Sequence, residues 1–372
     1  MLTNRRVLIV IVALLLSGCG SNAAQKQTVP GPETANLLPA TTGWLVRQEG
    51  AGDIVADALP SLHEAIVRPS ARPGDIHALS GPDSQGRIAY IENHFFDSDE
   101  KHQHHLLKTI RLDGIGDTEI FSRPGDAMWA ESAAGHGEIG KTLALSPRGG
   151  HVAFLSELSE VQMPAALLYC GQVEIWDVVK KTGSISGIRA LDEGLAWFPD
   201  GRRLAYVKLI DAKQAVGIPN TDLFGQYFRK WEKVPAVFIR DTSAGTDALV
   251  HVGVQPVVSF DGQSVLMTDF DGHWKLVDVA TGKSIDVSWP GMYGNIVASV
   301  SDGVVLAWCL PTQGTKVELT KYYSPLVGPR EMLTLKLAQL NSSHSQTVVP
   351  SIDPRATATV SFGRAEWPTT SK

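Results

Sequence analysis

The sequence lacks the short motifs by which many enzymes are recognised. It contains no G-x-S-x-G elbow, no H-E-x-x-H zinc motif, no P-loop and no G-x-G-x-x-G dinucleotide fingerprint. His63 and Glu64 stand together without a second histidine at the required spacing. These absences exclude the enzyme classes that depend on those motifs, while catalysis by dispersed residues stays open.

The sequence also has few cysteines and no excess of positive charge. Only Cys170 and Cys309 follow Cys19, both in apolar, strand-like surroundings. They are either buried thiols or, in an oxidising compartment, partners in a disulfide. The chain has 33 basic against 39 acidic residues, a formal charge of −6. This excess of acid argues against nucleic acid as a partner.

Long apolar runs are absent after the N-terminus. Arg5 and Arg6 precede the apolar segment Val7–Leu16, which is too short to span a bilayer and is typical of a signal peptide. The segment leads into Leu16-Ser17-Gly18-Cys19, which resembles the lipobox of bacterial lipoproteins. That resemblance implies a signal peptide at 1–18. It also implies a diacylglyceryl group and usually an amide-linked chain such as palmitate on Cys19.

The lipobox resemblance places the protein in the cell envelope. Several acyl chains on one cysteine hold a protein stably in a membrane. Gly20 rather than Asp follows Cys19, which by resemblance to enterobacterial sorting favours the outer membrane, facing the periplasm. Residues 19–40 are small, polar and Pro-containing, and are interpreted as a flexible tether. We expect a folded domain at 41–367 and a tail at 368–372.

An internal repeat determines the expected fold. Five segments combine apolar residues, a Gly-containing turn and an alternating apolar strand: Leu79–Glu92, Ala144–Leu155, Ala196–Val207, Val257–Thr268 and Val297–Trp308. A second pattern, an apolar strand running into Asp and a turn ending in Gly, follows in Val173–Gly183, Ala236–Gly245 and Lys275–Gly282. Each unit therefore contains about four short antiparallel strands. Such sheets bury both faces when they stack radially.

Two repeat segments carry a family resemblance. Ser146–Phe154 (SPRGGHVAF) and Phe198–Tyr206 (FPDGRRLAY) resemble the TolB-type, WD-like propeller repeat, although Arg148 replaces the usual Asp. Phe224–Asp241 is similar to a blade of the propellers attached to prolyl-oligopeptidase-type peptidases. The resemblance implies an all-β propeller of four-stranded antiparallel blades, with six blades expected and seven as the alternative. It indicates little about function, because propellers host unrelated activities.

The two ends of the domain each supply one unassigned strand. Thr42–Arg47 and Ala356–Phe362 are apolar and β-rich. Pairing them in one blade would close the ring and remove an exposed sheet edge. We therefore predict that the closing blade combines both chain ends.

Four connections between second and third strands are predicted to be long and to emerge on one side of the ring: His94–His105, Glu157–Gly171, Leu209–Lys233 and Pro311–Arg330. Loops of this length are usually functional or disordered. Their aromatic residues are candidate binding residues for a protein or peptide: Tyr227, Phe228, Trp231, Tyr322 and Tyr323. The alternative is that the loops pack on each other as lids.

Metal ligation has two weak candidates in the sequence. His102 and His104, in a polar stretch rich in acids, would project to one side of an extended segment. Their spacing matches no metal motif, so we expect a solvated loop, no metal and no cofactor. Asp269, Asp271 and Gly272 faintly resemble a calcium loop but lack its ligand pattern, and a simple turn is expected.

The expected function is that of a lipid-anchored, periplasm-facing propeller that binds a protein, peptide or envelope polymer without turnover. The alternative is a propeller enzyme, a lyase or glycosidase, with its site in the central channel. Paired acids or a metal on the innermost strands would favour the enzyme. Those strands instead read Ala-Leu-Ser, Ala-Trp-Phe and Val-Val-Ser.

Overall fold

The computed structural model describes most of the chain between Gly43 and Gly363. The described residues are 43–49, 53–59, 61, 63–68, 76–95, 103–124, 143–163, 166–192, 194–215, 232–269, 273–288, 294–309, 333–352 and 361–363. No helix within these ranges is both long and apolar enough to cross a bilayer.

Strands dominate the described residues. Blade 1 contains β1 (Gly43–Glu49), β2 (Asp53–Leu59) and β3 (His63–Arg68), and blade 2 contains β4 (Ile76–Leu79), β5 (Arg87–Phe95), β6 (Gln103–Arg111) and β7 (Thr118–Pro124). Blade 3 contains β8 (Leu143–Leu145), β9 (His151–Met163), β10 (Ala166–Asp177) and β11 (Thr182–Leu191). Blade 4 contains β12 (Leu195–Trp197), β13 (Arg203–Asp211), a 3-10 turn (Ala212–Gln214), β14 (Lys233–Asp241) and β15 (Thr246–Val252).

The remaining strands complete the ring. Blade 5 contains β16 (Val254–Val258), β17 (Ser264–Thr268), β18 (Trp274–Asp278) and β19 (Ser284–Val287). Blade 6 contains β20 (Gly294–Ser301), β21 (Val304–Cys309), β22 (Leu333–Gln339) and β23 (Ser345–Ile352), and β24 (Ser361–Gly363) returns to blade 1. The chain thus forms six four-stranded antiparallel sheets. The prediction of a six-bladed all-β propeller is confirmed.

The first strands of the blades line the axis of the ring. Contacts join β4 to β8, β8 to β12, β12 to β16, β16 to β20 and β20 to β24. Each of the five repeat segments supplies residues of the first and second strands of one blade, from blade 2 to blade 6. The sequence repeat therefore corresponds to the inner half of each blade.

The closing blade combines both ends of the domain, as predicted. Trp44 lies opposite Gly363, and Val46 lies opposite Ser361, so β24 is the innermost strand of blade 1 and β1 is the second. Thr42 and residues 356–360 lie outside the described residues. Closure by strand pairing removes the free edge that an open ring would expose.

Apolar side chains are buried between blades rather than within single sheets. Five of the six buried clusters combine residues of two neighbouring blades, such as Ile91 of blade 2 with Phe154 of blade 3, and Leu45 of blade 1 with Leu306 of blade 6. The sixth joins blades 4 and 5 and includes Leu191 of blade 3. Each four-stranded sheet therefore depends on its neighbours for burial of its faces.

The glycines of the repeat explain how closely the blades approach. Gly149, Gly201 and Gly262 occupy the first turns of blades 3, 4 and 5 with φ between 65° and 70°. A Cβ on Gly201 would lie 3.0 Å from Arg148 Cβ, and one on Gly262 would lie 3.0 Å from Pro199 Cδ in the preceding blade. Glycine is thus needed both for the left-handed backbone and for the interblade contact.

The two cysteines of the domain lie in different blades. Cys170, in β10 of blade 3, is a free thiol and is partly buried. Cys309 ends β21 of blade 6, three blades away around the ring. Of the two sequence-based alternatives, the structure shows the unbridged thiol at Cys170.

Candidate functional site

The two faces of the ring differ in their connections. We call the turn face the side that carries the turns between first and second strands and between third and fourth strands. On this face Asp200 accepts hydrogen bonds from the backbone N–H of Arg202 (2.8 Å) and Arg203 (3.0 Å), and Asp278 accepts one from Thr281 (2.7 Å). These turns are short and bonded internally.

The opposite side, the hairpin face, carries the connections between second and third strands. In blade 3 these strands extend far beyond the sheet, since β9 has 13 residues and β10 has 12, whereas β17 and β18 of blade 5 have five each. Past Ser156, β9 pairs with β10 as far as Met163 opposite Ala166. We call residues 157–163 and 166–171 the ribbon.

The ribbon corrects a sequence-based prediction. Glu157–Gly171 was expected to be a long loop, and this is wrong, because only two residues separate β9 from β10. The physical reason is that the backbone groups of both segments are satisfied by a regular ladder. Apolar residues two apart, such as Val161 and Met163, are a signal that could have found it.

Backbone irregularities mark the base of the ribbon. Glu157 has a φ of 50°, and the register between β9 and β10 shifts between Cys170 and Gln172. A Cβ on Gly171 would lie 2.7 Å from Leu158 Cδ2 and 2.8 Å from the carbonyl oxygen of Ser156. Only glycine permits this approach, and the bulge interrupts the regular ladder at the base of the ribbon.

The ribbon is a two-stranded structure with open edges. In the described part of the chain, β8 pairs with β9 from Val152 to Phe154, and the pairing of β11 with β10 ends at Cys170. Beyond these limits the edge of β9 on the β8 side has no strand neighbour among the described residues. Such an edge presents backbone donors and acceptors to any extended segment.

Side chains at the base hold the ribbon to blade 3. Arg189 of β11 donates hydrogen bonds to Ser159 Oγ (2.7 Å) and to the carbonyl oxygen of Cys170 (3.1 Å). Ser159 Oγ donates to the same carbonyl (3.2 Å), and the backbone N–H of Asp192 donates to the carbonyl of Tyr169 (2.9 Å). These bonds position the start of the ribbon, and no described strand pairs with its β9 edge beyond Phe154.

The predicted aromatic binding residues lie outside the described residues: Tyr227, Phe228, Trp231, Tyr322 and Tyr323. The structure narrows the segment that carries the first three, because β13 continues to Asp211 and β14 begins at Lys233. The ends of the predicted loop Leu209–Lys233 are therefore strand. Cys19 also lies outside the described residues, as does all of Pro311–Arg330.

The histidine segment is partly strand as well. His94 lies opposite His104 in the pairing of β5 with β6, and the strands end at Phe95 and begin at Gln103. His102 and the side chain of His104 lie outside the description. Within the described ranges, no three His, Cys, Asp or Glu side chains lie close enough to share a metal ion.

The turn predicted at Asp269, Asp271 and Gly272 is confirmed at its two ends, whereas Asp271 and Gly272 lie outside the described residues. The Asp269 carboxylate accepts a hydrogen bond from the backbone N–H of His273 (2.9 Å), and its own N–H donates to the carbonyl of His273 (2.9 Å). Lys275 lies 3.3 Å from the carboxylate. Asp269 therefore closes a tight hairpin in blade 5.

Buried charges join neighbouring blades. Glu92 of β5 accepts hydrogen bonds from Arg68 of blade 1 (2.8 Å) and from Lys108 of its own blade (3.1 Å). Arg123 of blade 2 donates two hydrogen bonds to Glu174 of blade 3. Sequence reasoning missed these pairs, because their partners lie in different repeats and no local pattern connects them.

The hydrogen-bond donors around Glu174 favour its ionised form. Burial alone would raise its pKa, but hydrogen bonds from Arg123, Ser156 and Trp176 outweigh that effect and the pKa is lowered. The Trp176 indole N–H donates at 2.9 Å. A carboxylate satisfied in this way stabilises the blade interface.

Comparison with known proteins gives likenesses of fold. No protein-family model and no curated protein matches the sequence. Among solved structures, the chain is similar to TolB from Acinetobacter baumannii (12% identity, TM-score 0.45, covering 92% of this chain and 79% of that chain). It is also similar to an oligogalacturonate lyase in complex with manganese (9%, 0.42, 82% and 74%) and to the β-propeller domain of the Trilobed protease from Pyrococcus furiosus (12%, 0.39, 74% and 71%). By its own topology, the chain is a six-bladed β-propeller.

Proposed function

We propose that this protein is a lipid-anchored propeller of the cell envelope that binds an extended segment of a protein or peptide partner without turnover. The observation that carries the proposal is the ribbon of blade 3, whose β9 edge stands open beyond Phe154 in the described structure. The anchoring half of the proposal rests on the lipobox ending at Cys19.

The geometry of the ribbon suits strand addition. Residues 157–163 offer a seven-residue edge, about 23 Å long at the usual rise of a strand. In strand addition, backbone hydrogen bonds provide the affinity and alternate side chains provide selectivity. A two-stranded ribbon is marginal alone, so a third strand from a partner would also stabilise it.

The outermost strands of the blades contrast with the ribbon. β7 ends at Pro124, β23 contains Pro350, and β19 has only four residues. Gly187 of β11 has a φ of 73° where the register shifts. Proline, short length and bulges all discourage pairing with another chain.

Charge indicates the chemistry of the partner. The ionisable residues of the β9 edge segment are Glu157 and Glu160, and both are acidic. An extended segment with lysine or arginine would therefore complement this edge better than an acidic one. We propose a basic extended segment of an envelope protein as the ligand.

Site-specific photo-crosslinking in the native envelope tests this function. A photoreactive amino acid at Ser159, on the ribbon, should yield one discrete protein adduct. The same group at Gln85, which is exposed on the turn face, is the matched control and should not yield it. Adducts of equal yield at both positions, or none at Ser159, would contradict the proposal.

A further inference from the structure

The position of β1 determines the face from which the N-terminal segment enters the ring. In blades 2 to 6 the second strand begins after the turn between first and second strands, on the turn face. β1 occupies the second position of blade 1, since β24 is the first. Gly43 therefore lies at the turn face, and the tether predicted for residues 19–40 joins the propeller there.

A contact between blades supports this placement. Gly363, opposite Trp44 in the closing pair, lies against Pro82 in the first turn of blade 2, where a Cβ on Gly363 would lie 2.8 Å from the backbone nitrogen of Pro82. Both ends of the described chain therefore lie beside the short turns. The hairpin face, with its ribbon, is on the other side.

The length of the preceding segment limits the distance to the membrane. Residues 19–42 comprise 24 residues, which as a flexible chain have a mean end-to-end distance of about 27 Å and a maximum of about 80 Å. An acyl chain on Cys19 would thus let the turn face reach the lipid, and a second contact between that face and the membrane would be needed to orient the ring.

The turn face carries exposed apolar tips on neighbouring blades. Val179, in the turn between β10 and β11, is 74% exposed, and Ile115, in the corresponding turn of blade 2, is 56% exposed. Lys180 and Lys181 follow Val179 directly and are exposed. An apolar tip flanked by lysines suits the boundary between headgroups and acyl chains.

This part of the turn face carries unpaired cations. Lys181 and Arg148 are exposed and form no ion pair with another residue of the described ranges. Lys180 pairs with Asp177 of its own turn (3.1 Å), and in blade 2 Asp113 and Asp117 pair with Arg111 and Lys108. The exposed Glu119 is the acid of these two turns that has no ion pair among the described residues, so Lys181 and Arg148 are the charges free to meet an anionic surface.

We propose that the turn face at blades 2 and 3 docks on an anionic phospholipid surface through the Val179-Lys180-Lys181 turn, with Ile115 and Arg148 beside it. This orients the ribbon away from the membrane. The inference rests on the lipid anchoring in the proposed function, and it adds the orientation of the ring and a second contact with the membrane.

Vesicle binding of the unlipidated chain tests the docking surface separately from the anchor. All described strands lie between Gly43 and Gly363, so a chain starting at residue 19 with Cys19→Ser retains each of them. It should cosediment with vesicles of one part phosphatidylglycerol to two parts phosphatidylcholine, and not with phosphatidylcholine alone. Equal binding to both, or none to the anionic vesicles, would overturn the proposal.

Matched variants locate the contact. Lys180→Gln and Lys181→Gln should each lower the partition coefficient about fivefold, and Val179→Ser should lower it further. Lys233→Gln, at an exposed lysine that begins β14 on the hairpin face, should leave it unchanged. Equal effects of Lys180→Gln and Lys233→Gln would show non-specific attraction and overturn the assigned surface.

Energy transfer in the anchored protein tests the orientation. A fluorescent amino acid at Gln85, which is exposed on the turn face outside the assigned contact, should transfer energy to acceptor-labelled lipid more efficiently than one at Ser159. Equal or reversed efficiencies would overturn the orientation. Failure of lipidation is distinguishable, because a protein held only by the charged docking surface would leave the membranes in a high-salt wash, whereas a lipid-anchored one would stay. Failure of partner binding appears only in crosslinking at Ser159.

Discussion

Arg123 and Glu174 form a bidentate ion pair across the interface of blades 2 and 3, with Nη1 2.6 Å from Oε1 and Nη2 2.6 Å from Oε2. The Glu174 side chain is only 3% exposed. The Arg123 guanidinium also lies 5.1 Å from the centre of the Phe121 ring and 5.8 Å from that of Trp176. The pair thus joins two sheets that have no backbone ladder in common.

Removing one member of this pair should destabilise the ring. Arg123→Met leaves Glu174 buried with one fewer partner, and we expect a loss of about 2–4 kcal/mol in the free energy of unfolding. Arg202→Met is the matched control, because the Arg202–Asp241 pair is exposed and its loss should leave urea denaturation unchanged. Equal midpoints for Arg123→Met and the unaltered protein would contradict this role.

The same carboxylate predicts a pH dependence. The pKa of Glu174 is lowered in the folded protein from its ordinary value of 4.5, so its contribution to stability is complete above that value. It is lost as the pH falls through the folded-state pKa. Glu174→Gln should therefore flatten the decline of the urea midpoint below the ordinary value. A decline as steep as that of the unaltered protein would show that other carboxyl groups cause it.

Closure by β24 predicts the effect of truncation. Deleting residues 355–372 removes the strand that pairs with Trp44, Leu45 and Val46 and exposes the edge of β1. The truncated chain should aggregate or lose cooperative melting. Deleting residues 20–36, which precede every described strand, is the control and should leave the melting temperature unchanged. A truncated chain that melts like the full chain would contradict closure by this strand.

Gly149 and Gly282 have the same backbone conformation but different surroundings, so alanine at each position distinguishes backbone strain from steric contact. Gly149 has a φ of 70° and Gly282 a φ of 68°, so alanine costs about 1 kcal/mol at either for backbone conformation. A Cβ on Gly149 also meets the Asp83 carboxylate and the Arg87 guanidinium, whereas Gly282 has open space. Gly149→Ala should therefore lose about 2 kcal/mol more than Gly282→Ala in chemical denaturation. Equal losses would show that the first turns do not constrain the blade interface.

The parts of the fold that depend on local chemistry could be predicted from the sequence. The Asp side chain of a turn accepts hydrogen bonds from backbone N–H groups of the same turn, and Gly adopts the left-handed backbone that the turn needs. The turns at Asp200 and Asp278 could therefore be predicted from the repeat alone. Closure was predictable because a propeller leaves only two strands to pair at its ends. These inferences needed no knowledge of distant contacts.

The ribbon and the interblade ion pairs could not be predicted in the same way. A loop was predicted over Glu157–Gly171. In the structure Gly171 lies in a strand, where the lack of a side chain allows close contact with the Ser156 carbonyl and the Leu158 side chain at the base of the ribbon. Arg123 and Glu174 are 51 residues apart, and nothing in either repeat specifies the other. Side-chain geometry between repeats has no sequence period, so it appears only in the assembled ring.

The central claim is that the ribbon binds the partner of an anchored propeller. Replacing Glu157–Gly171 with an Asn-Gly turn leaves Ser156 opposite Gln172 and gives blade 3 a tight hairpin like that of blade 5. The partner is first identified by crosslinking from a photoreactive amino acid at Ser159 in a protein that keeps the ribbon. The affinity of the purified partner segment is then measured by calorimetry for the unaltered protein and for the variant with the Asn-Gly turn. The account predicts a lowered melting temperature with cooperative unfolding retained, because Leu158, Tyr169 and Cys170 pack against the blades. At a temperature where both chains are folded it predicts at least a hundredfold loss of affinity, equivalent to about 2.7 kcal/mol. Equal affinity for the two chains would contradict it.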